Sequence, residues 1–205
     1  MDERLLLWIN QGWGQPLLDG LFWWVSQRLW FALPLALILL YDSVRRRGRG
    51  GLRGFLVLVA TVAAGDVLGD LLKEWFAEPR PCQAIFEQLR ALGGAVADRC
   101  GTALNGMPSN HAINFFAAAS FVAIAAPRCG WRVGLFAVAL LVGLSRIYLG
   151  KHYPSQVLAG AAIGVAVGGL GAWLVVRYPT VFGPPPGDRT RPPFRSSAAN
   201  RELDE

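Results

Sequence analysis

The chain has 205 residues, with 20 Lys+Arg against 14 Asp+Glu for a formal net charge of +6, 53% hydrophobic residues and only 17% charged ones. With its 24 glycines the apolar share reaches about 65%, against ~45–50% in a soluble domain whose charged share is ~25%. Disordered, collagen-like and most soluble architectures are thereby excluded, and a membrane protein is the leading class.

In chain order, the first apolar segment is Leu5–Val25, which carries Asn10, Gln11, Gly12, Gly14, Pro16 and Asp19. It reads as an interfacial helix around Trp8 and Trp13 that runs through a break into the first span, because aromatic rings favour the membrane boundary. No basic stretch with a small-residue cleavage site precedes it, so it does not read as a signal peptide. Leu29–Val44, Phe55–Phe76, Trp131–Leu149 and Val157–Tyr178 are long enough to approach the ~20 apolar residues that a bilayer core requires. Ala112–Ala126 is shorter and starts behind a Pro-Ser pair that marks a helix start. The expected fold is all-α, a polytopic membrane bundle of five or six transmembrane helices occupying residues 1–181. From Phe182, Pro184-Pro185-Pro186 and Pro192-Pro193 among Ser, Arg and Gly give a disordered cytoplasmic tail over 182–205.

Arginines set the orientation, since short positive loops stay cytoplasmic. Arg45, Arg46, Arg47, Arg49 and Arg53 fill one link, Arg128 and Arg132 another, and Arg177, Arg189, Arg191, Arg195 and Arg201 follow the last span. All three clusters share a side if the segments from Phe55 onward alternate across the bilayer. Topology accounts for the positive charge, and no nucleic-acid partner is expected. The loop from about Ala77 to Met107 and the turn around Gly150–Tyr153 then face outward. Cys82 and Cys100 both lie in that outer loop, where either a disulfide or two separate thiols fits the sequence; Cys129 lies on the opposite side.

The rare polar residues gather at the outer span ends. Lys73 ends one span and Arg80 follows it between prolines; Pro108-Ser109-Asn110-His111 opens the next, where a helix N-terminus offers free N–H groups to an anion. Ser145-Arg146 ends the fourth span, counting Ala112–Ala126 as the third, and His152 precedes the last. Any one such cation reads as a snorkelling anchor. Together, on the side that positive charge ordinarily avoids, they point to an anionic ligand. Asp66 and Asp70, one turn apart, read as part of a structural ion pair inside the bundle; alternatively Asp70, one turn before Lys73, orients that lysine or supplies carboxylate charge to the site.

Three segments carry a resemblance. Lys73 followed after six residues by Arg80-Pro81, then Pro108-Ser109-Asn110-His111, then Ser145-Arg146 with His152 are similar to the three motifs of the type 2 phosphatidic acid phosphatase family, which shares its active site with vanadium haloperoxidases. The third motif departs from the family at its end, where Gln156 stands in place of an Asp. The resemblance implies a phosphohydrolase in which His152 forms a phosphohistidine and His111 protonates the leaving oxygen. It also implies that Lys73, Arg80, Ser109, the backbone N–H of Asn110 and Arg146 hold the phosphoryl oxygens. No metal or other cofactor is expected. Gln156, sharing a helix face with His152, offers the imidazole an acceptor without a charge, which implies weakened turnover.

The small size and Asn110 within the second motif look like the bacterial undecaprenyl diphosphate phosphatases of the family. The expected substrate is a lipid phosphate or diphosphate, met among membrane lipids at the periplasmic face of a bacterial inner membrane. Two alternatives stay open: a lipid phosphotransferase, and a non-catalytic lipid phosphate binder or transporter.

Overall fold

The computed structural model describes residues 1–90, 100–126 and 129–178. Arg128 and the proposed tail, with Arg189, Arg191, Arg195 and Arg201, lie outside the described residues. The order is α1 (Asp2–Gly12), α2 (Pro16–Val25), a π-helical segment (Arg28–Ala32), α3 (Leu33–Arg47), α4 (Arg49–Phe76), the short α5 (Pro81–Ala84), a 3-10 turn (Phe86–Gln88), α6 (Asn110–Ala125), α7 (Cys129–Tyr148) and α8 (Pro154–Arg177). Every element among the described residues is helical.

Among the described residues, three helices are long and apolar enough to cross a membrane: α4 with its extension to Ala84, α7 and α8. Pro16–Val25 and Trp30–Arg47 qualify as a fourth span if taken together, bent by 83° at the intervening break. At 16 residues, about 24 Å, α6 is apolar but shorter than the ~30 Å hydrocarbon core. The N-terminal segment, expected as an interfacial helix that runs through a break into a span, forms two helices with a break at Trp13–Gln15 and a further one after Val25. Proline explains the restart at Pro16, where its missing N–H costs nothing in the first turn.

α6 lies at the centre, packed on α4, α7 and above all α8. The α8 pairing follows from glycine spacing. Gly160, Gly164 and Gly168 recur every four residues and share one face. A Cβ at Gly160 would lie 2.5 Å from the Ser109 carbonyl oxygen, and one at Gly164 2.5 Å from that of Ile113. Small residues thus let two backbones touch, the usual basis of helix association where lipid removes the hydrophobic incentive. Outward-facing Leu56, Val59, Val67, Leu158, Val165 and Leu170 remain exposed on the bundle, as lipid-facing positions would.

The chain alternation puts opposite chemistry at the two ends. Arg45, Arg46 and Arg47 end α3, and Arg47 Nη2 donates to the Ala125 carbonyl at the end of α6 (3.2 Å). The other end gathers the C-termini of α4 and α7 and the N-termini of α6 and α8. There lie the buried polar residues Ser109, Asn110, Ser145, Arg146, His152 and Gln156. Cys82 and Cys100 are joined as a disulfide, with Cα atoms 6.1 Å apart, which resolves the alternatives left by the sequence.

A polar cluster fastens the N-terminal helices to this end. Arg90 donates from Nη1 to Asp19 Oδ2 (3.0 Å) and from Nη2 to Tyr148 Oη (2.8 Å). Asn10 Oδ1 accepts the Arg90 N–H (2.8 Å), while Asn10 Nδ2 donates to the Tyr148 carbonyl (2.7 Å).

Candidate active site

α4 ends at Phe76 because Ala77 adopts a left-handed conformation (φ 46°) and prolines 79 and 81 follow. Lys73, in its last turn, donates to Asp70 Oδ1 (2.9 Å). Asp70 Oδ1 in turn accepts from Asn110 Nδ2 (2.8 Å), and Asp66 Oδ1 accepts from both Asn110 Nδ2 (3.0 Å) and Asn114 Nδ2 (2.9 Å). The two carboxylates therefore anchor the first turn of α6, and Asp70 links Lys73 to it. Of the two readings of these acids, the ion pair with Lys73 belongs to Asp70.

Arg80 caps α5: its N–H donates to Gln83 Oε1 (2.9 Å), and its Nη2 reaches the Asn105 carbonyl (3.4 Å). Ser109 is the fully buried N-cap of α6. Its N–H donates to the Gln156 carbonyl (3.1 Å), while its hydroxyl makes no hydrogen bond among the described residues. A buried hydroxyl without a partner is costly, and a ligand oxygen would satisfy it.

Arg146 and His111 meet at Ser26, just past α2. Arg146 Nη1 donates to Ser26 Oγ, and His111 Nε2 lies 3.3 Å from the Ser26 carbonyl oxygen. A carbonyl only accepts, so His111 Nε2 carries the hydrogen.

His152 is 3% exposed. Its Nδ1 donates to the Gly106 carbonyl (2.8 Å), with Gln156 Oε1 further away at 3.3 Å. Fixing the hydrogen on Nδ1 leaves the lone pair on Nε2. Burial foremost, then the positive charges of Arg146 and Arg80, hold the imidazole well below its ordinary pKa, with a smaller contribution from His111; the Gly106 bond opposes them. The imidazole is thus neutral at neutral pH, with its Nε2 lone pair held in one orientation.

Gln156 is more engaged than its place at the end of a motif indicates. Its Oε1 also accepts the Tyr153 N–H (3.1 Å), and its Nε2 donates to the Pro79 carbonyl (3.1 Å) and to Glu78 Oε2 (3.3 Å). All eight residues expected from the sequence lie at this end of the bundle, Lys73 joined through Asp70 and Asn110. Three contributors escaped sequence reasoning: Gly106, Glu78 and Ser26. Gly106 sits in the turn-forming run Asn105-Gly106-Met107-Pro108, a signal that marks a loop but not its partner. Ser26 carries no signal at all.

The family model described as PAP2 superfamily matches residues 54–179. The chain is 42% identical over 87 residues to a lipid A 1-phosphatase of Porphyromonas gingivalis, a match covering 40% of this chain and 20% of that relative. It is 29% identical over 140 residues to the undecaprenyl-diphosphatase BcrC of Bacillus subtilis, covering 68% and 65% respectively. The chain therefore spans a fifth of the first relative and just under two thirds of the second. Among solved structures it is similar to Aquifex aeolicus LpxE, with a TM-score of 0.63, 26% identity, and 83% of this chain and 93% of that one covered.

Proposed function

The chain belongs to the PAP2 superfamily, and from that premise we propose that it is a membrane lipid phosphate phosphatase acting through a phosphohistidine on His152. The observation that carries this reading is the 2.8 Å bond from His152 Nδ1 to the Gly106 carbonyl, which aims an available Nε2 lone pair from a buried, neutral ring. In the first step Nε2 bonds to phosphorus as the bond to the lipid oxygen breaks, and His111 Nε2 gives its proton to that oxygen. In the second step His111 takes a proton from water, whose oxygen displaces His152 and frees phosphate. Arg80, Arg146, Lys73, the Ser109 hydroxyl and the Asn110 N–H stabilise the charge on the transferring group.

A lipid substrate also has room for its tail. An apolar groove between α3, α4 and α6 is lined by Leu35, Leu39, Val59, Val62 and Phe115, and its lining includes Asn114. Asn114 shares Asp66 with Asn110, so the groove runs up to the support of the phosphate site. Undecaprenyl diphosphate is the substrate we favour. The BcrC relative, named an undecaprenyl-diphosphatase, matches over about two thirds of both chains. With the arginine-rich end cytoplasmic, catalysis takes place at the outer face of the inner membrane.

The test is phosphate release by the purified protein in detergent from undecaprenyl diphosphate, phosphatidic acid and lipid A, beside His152→Ala. Release by the wild type, abolished in the variant and accompanied by an acid-labile, base-stable labelled phosphoenzyme, is expected. No release from any of the three lipids overturns the reading.

A further inference from the structure

His152 is surrounded by positive charge. Arg146 from α7, Arg80 from the segment before α5 and His111 from α6 all oppose a charge on its ring, yet the proposed intermediate is a cationic phosphoimidazole. The backbone carbonyl of Gly106 supplies a dipole but no negative charge. Gln156 presents its acceptor, Oε1, to His152 Nδ1 and its donor, Nε2, to the Glu78 carboxylate. An amide bonded to an anion on its N–H side is polarised so that its oxygen becomes a better acceptor. Gln156 is 1% exposed, so water screens little of that effect.

We propose that Glu78 is a positioning residue of this site, delivering negative charge to His152 through the Gln156 amide in place of a carboxylate at position 156. The inference rests on the phosphohistidine reading and deepens it. No proton passes to Glu78: Nδ1 keeps its hydrogen throughout, the N–P bond replaces the P–O bond, and the leaving oxygen takes its proton from His111. Glu78 is also tied in by its backbone. Its carbonyl accepts the Gly106 N–H (2.8 Å), and the Gly106 carbonyl accepts from His152. One residue thereby touches both supports of the imidazole.

The test uses the full chain in detergent, with kcat followed against pH on undecaprenyl diphosphate. Glu78→Gln keeps an acceptor for Gln156 Nε2 but removes the charge. Its plateau kcat is expected to fall about tenfold, and its acid limb to move about one pH unit lower, since losing an anion disfavours the imidazolium. Glu78→Asp, which keeps the charge, retains the wild-type acid limb. Adding Gln156→Asp to Glu78→Gln restores charge directly beside Nδ1 and recovers both plateau and acid limb. A wild-type acid limb in Glu78→Gln, whatever its plateau, reduces Glu78 to a structural contact and overturns the inference. So does a double variant no better than Glu78→Gln alone. A wild type that releases no phosphate overturns the phosphatase reading itself, and the inference falls with it, a result distinct from an active wild type indifferent to Glu78.

Discussion

His152 Nδ1 lies 2.8 Å from the carbonyl oxygen of Gly106, so the residue that orients this imidazole is a glycine outside all three sequence motifs. Its side-chain position is closed. A Cβ there would stand 2.6 Å from Gln156 Nε2, 2.7 Å from the Pro79 carbonyl oxygen and 2.9 Å from that of Glu78. Two of these are backbone atoms that cannot swing aside. Gly106→Ala must therefore displace the loop and its carbonyl, and a misplacement of ~1 Å costs ~10²-fold in rate. A drop of that order in kcat, with the protein still folded by thermal melt in detergent, is the expected result.

The depressed pKa of His152 has two measurable consequences. A nucleophile must be neutral, so activity persists as pH falls below the ordinary histidine value of ~6.5 and is lost only through the lower folded-state value. A plateau in kcat/KM, which reports the free enzyme, extending below the ordinary histidine value is expected, whereas an acid limb centred at or above ~6.5 would contradict it. Stability moves oppositely to the plateau. Below about pH 6.5 the unfolded chain binds a proton that the folded chain refuses, so stability falls as pH drops from there to the folded pKa. His152→Gln removes that part of the slope, readable as a flatter Tm against pH.

Arg90 bridges Asp19, Tyr148 and Asn10, with the side chains of Arg90 and Asp19 27% and 28% exposed. Loss of a charged, largely desolvated hydrogen-bonded group costs about 2 kcal/mol. Arg90→Ala is expected to lower Tm by several degrees. A double-mutant cycle with Asp19→Asn tests the pairing, since partners in contact give non-additive effects. Additive losses would assign the cost of Arg90→Ala to packing.

Gly164 faces the Ile113 carbonyl at a distance that leaves no room for a methyl. Gly164→Ala forces α8 away from α6 at a cost of about 1–3 kcal/mol, as overpacking does. Because α6 and α8 supply Ser109, His111 and Gln156, both melting temperature and kcat should fall. Gly169→Ala, whose nearest neighbour is 3.9 Å away, should change neither.

Helices from α4 onward were legible because apolar length is written residue by residue, and their observed ends differ from the expected ones by a few residues, most at Arg49 against Phe55. The N-terminal third was less so. Asn10, Asp19 and Arg90 look like interruptions until the fold brings Arg90 across about 70 residues to Asp19. The site divides the same way. Lys73, Arg80, Ser109, Arg146 and His152 stand in spaced motifs of rare residues, whereas Gly106 acts through a backbone carbonyl that every residue possesses. Gln156 read as a defect because Glu78, which accepts from its Nε2, lies 78 positions away.

α4 and α6 meet at Asp70 and Asn110, but α4 continues six residues further, to Phe76, a rise of about 9 Å. The first turn of α6 is therefore sunk below the end of α4. Under the proposed function, a headgroup would reach it by descending along the lipid's axis, with the hydrocarbon tail keeping its bilayer surroundings. Pulling such a tail into water would cost ~0.8 kcal/mol for each methylene exposed. Under the proposed function, a recessed floor would spare a lipid substrate that extraction.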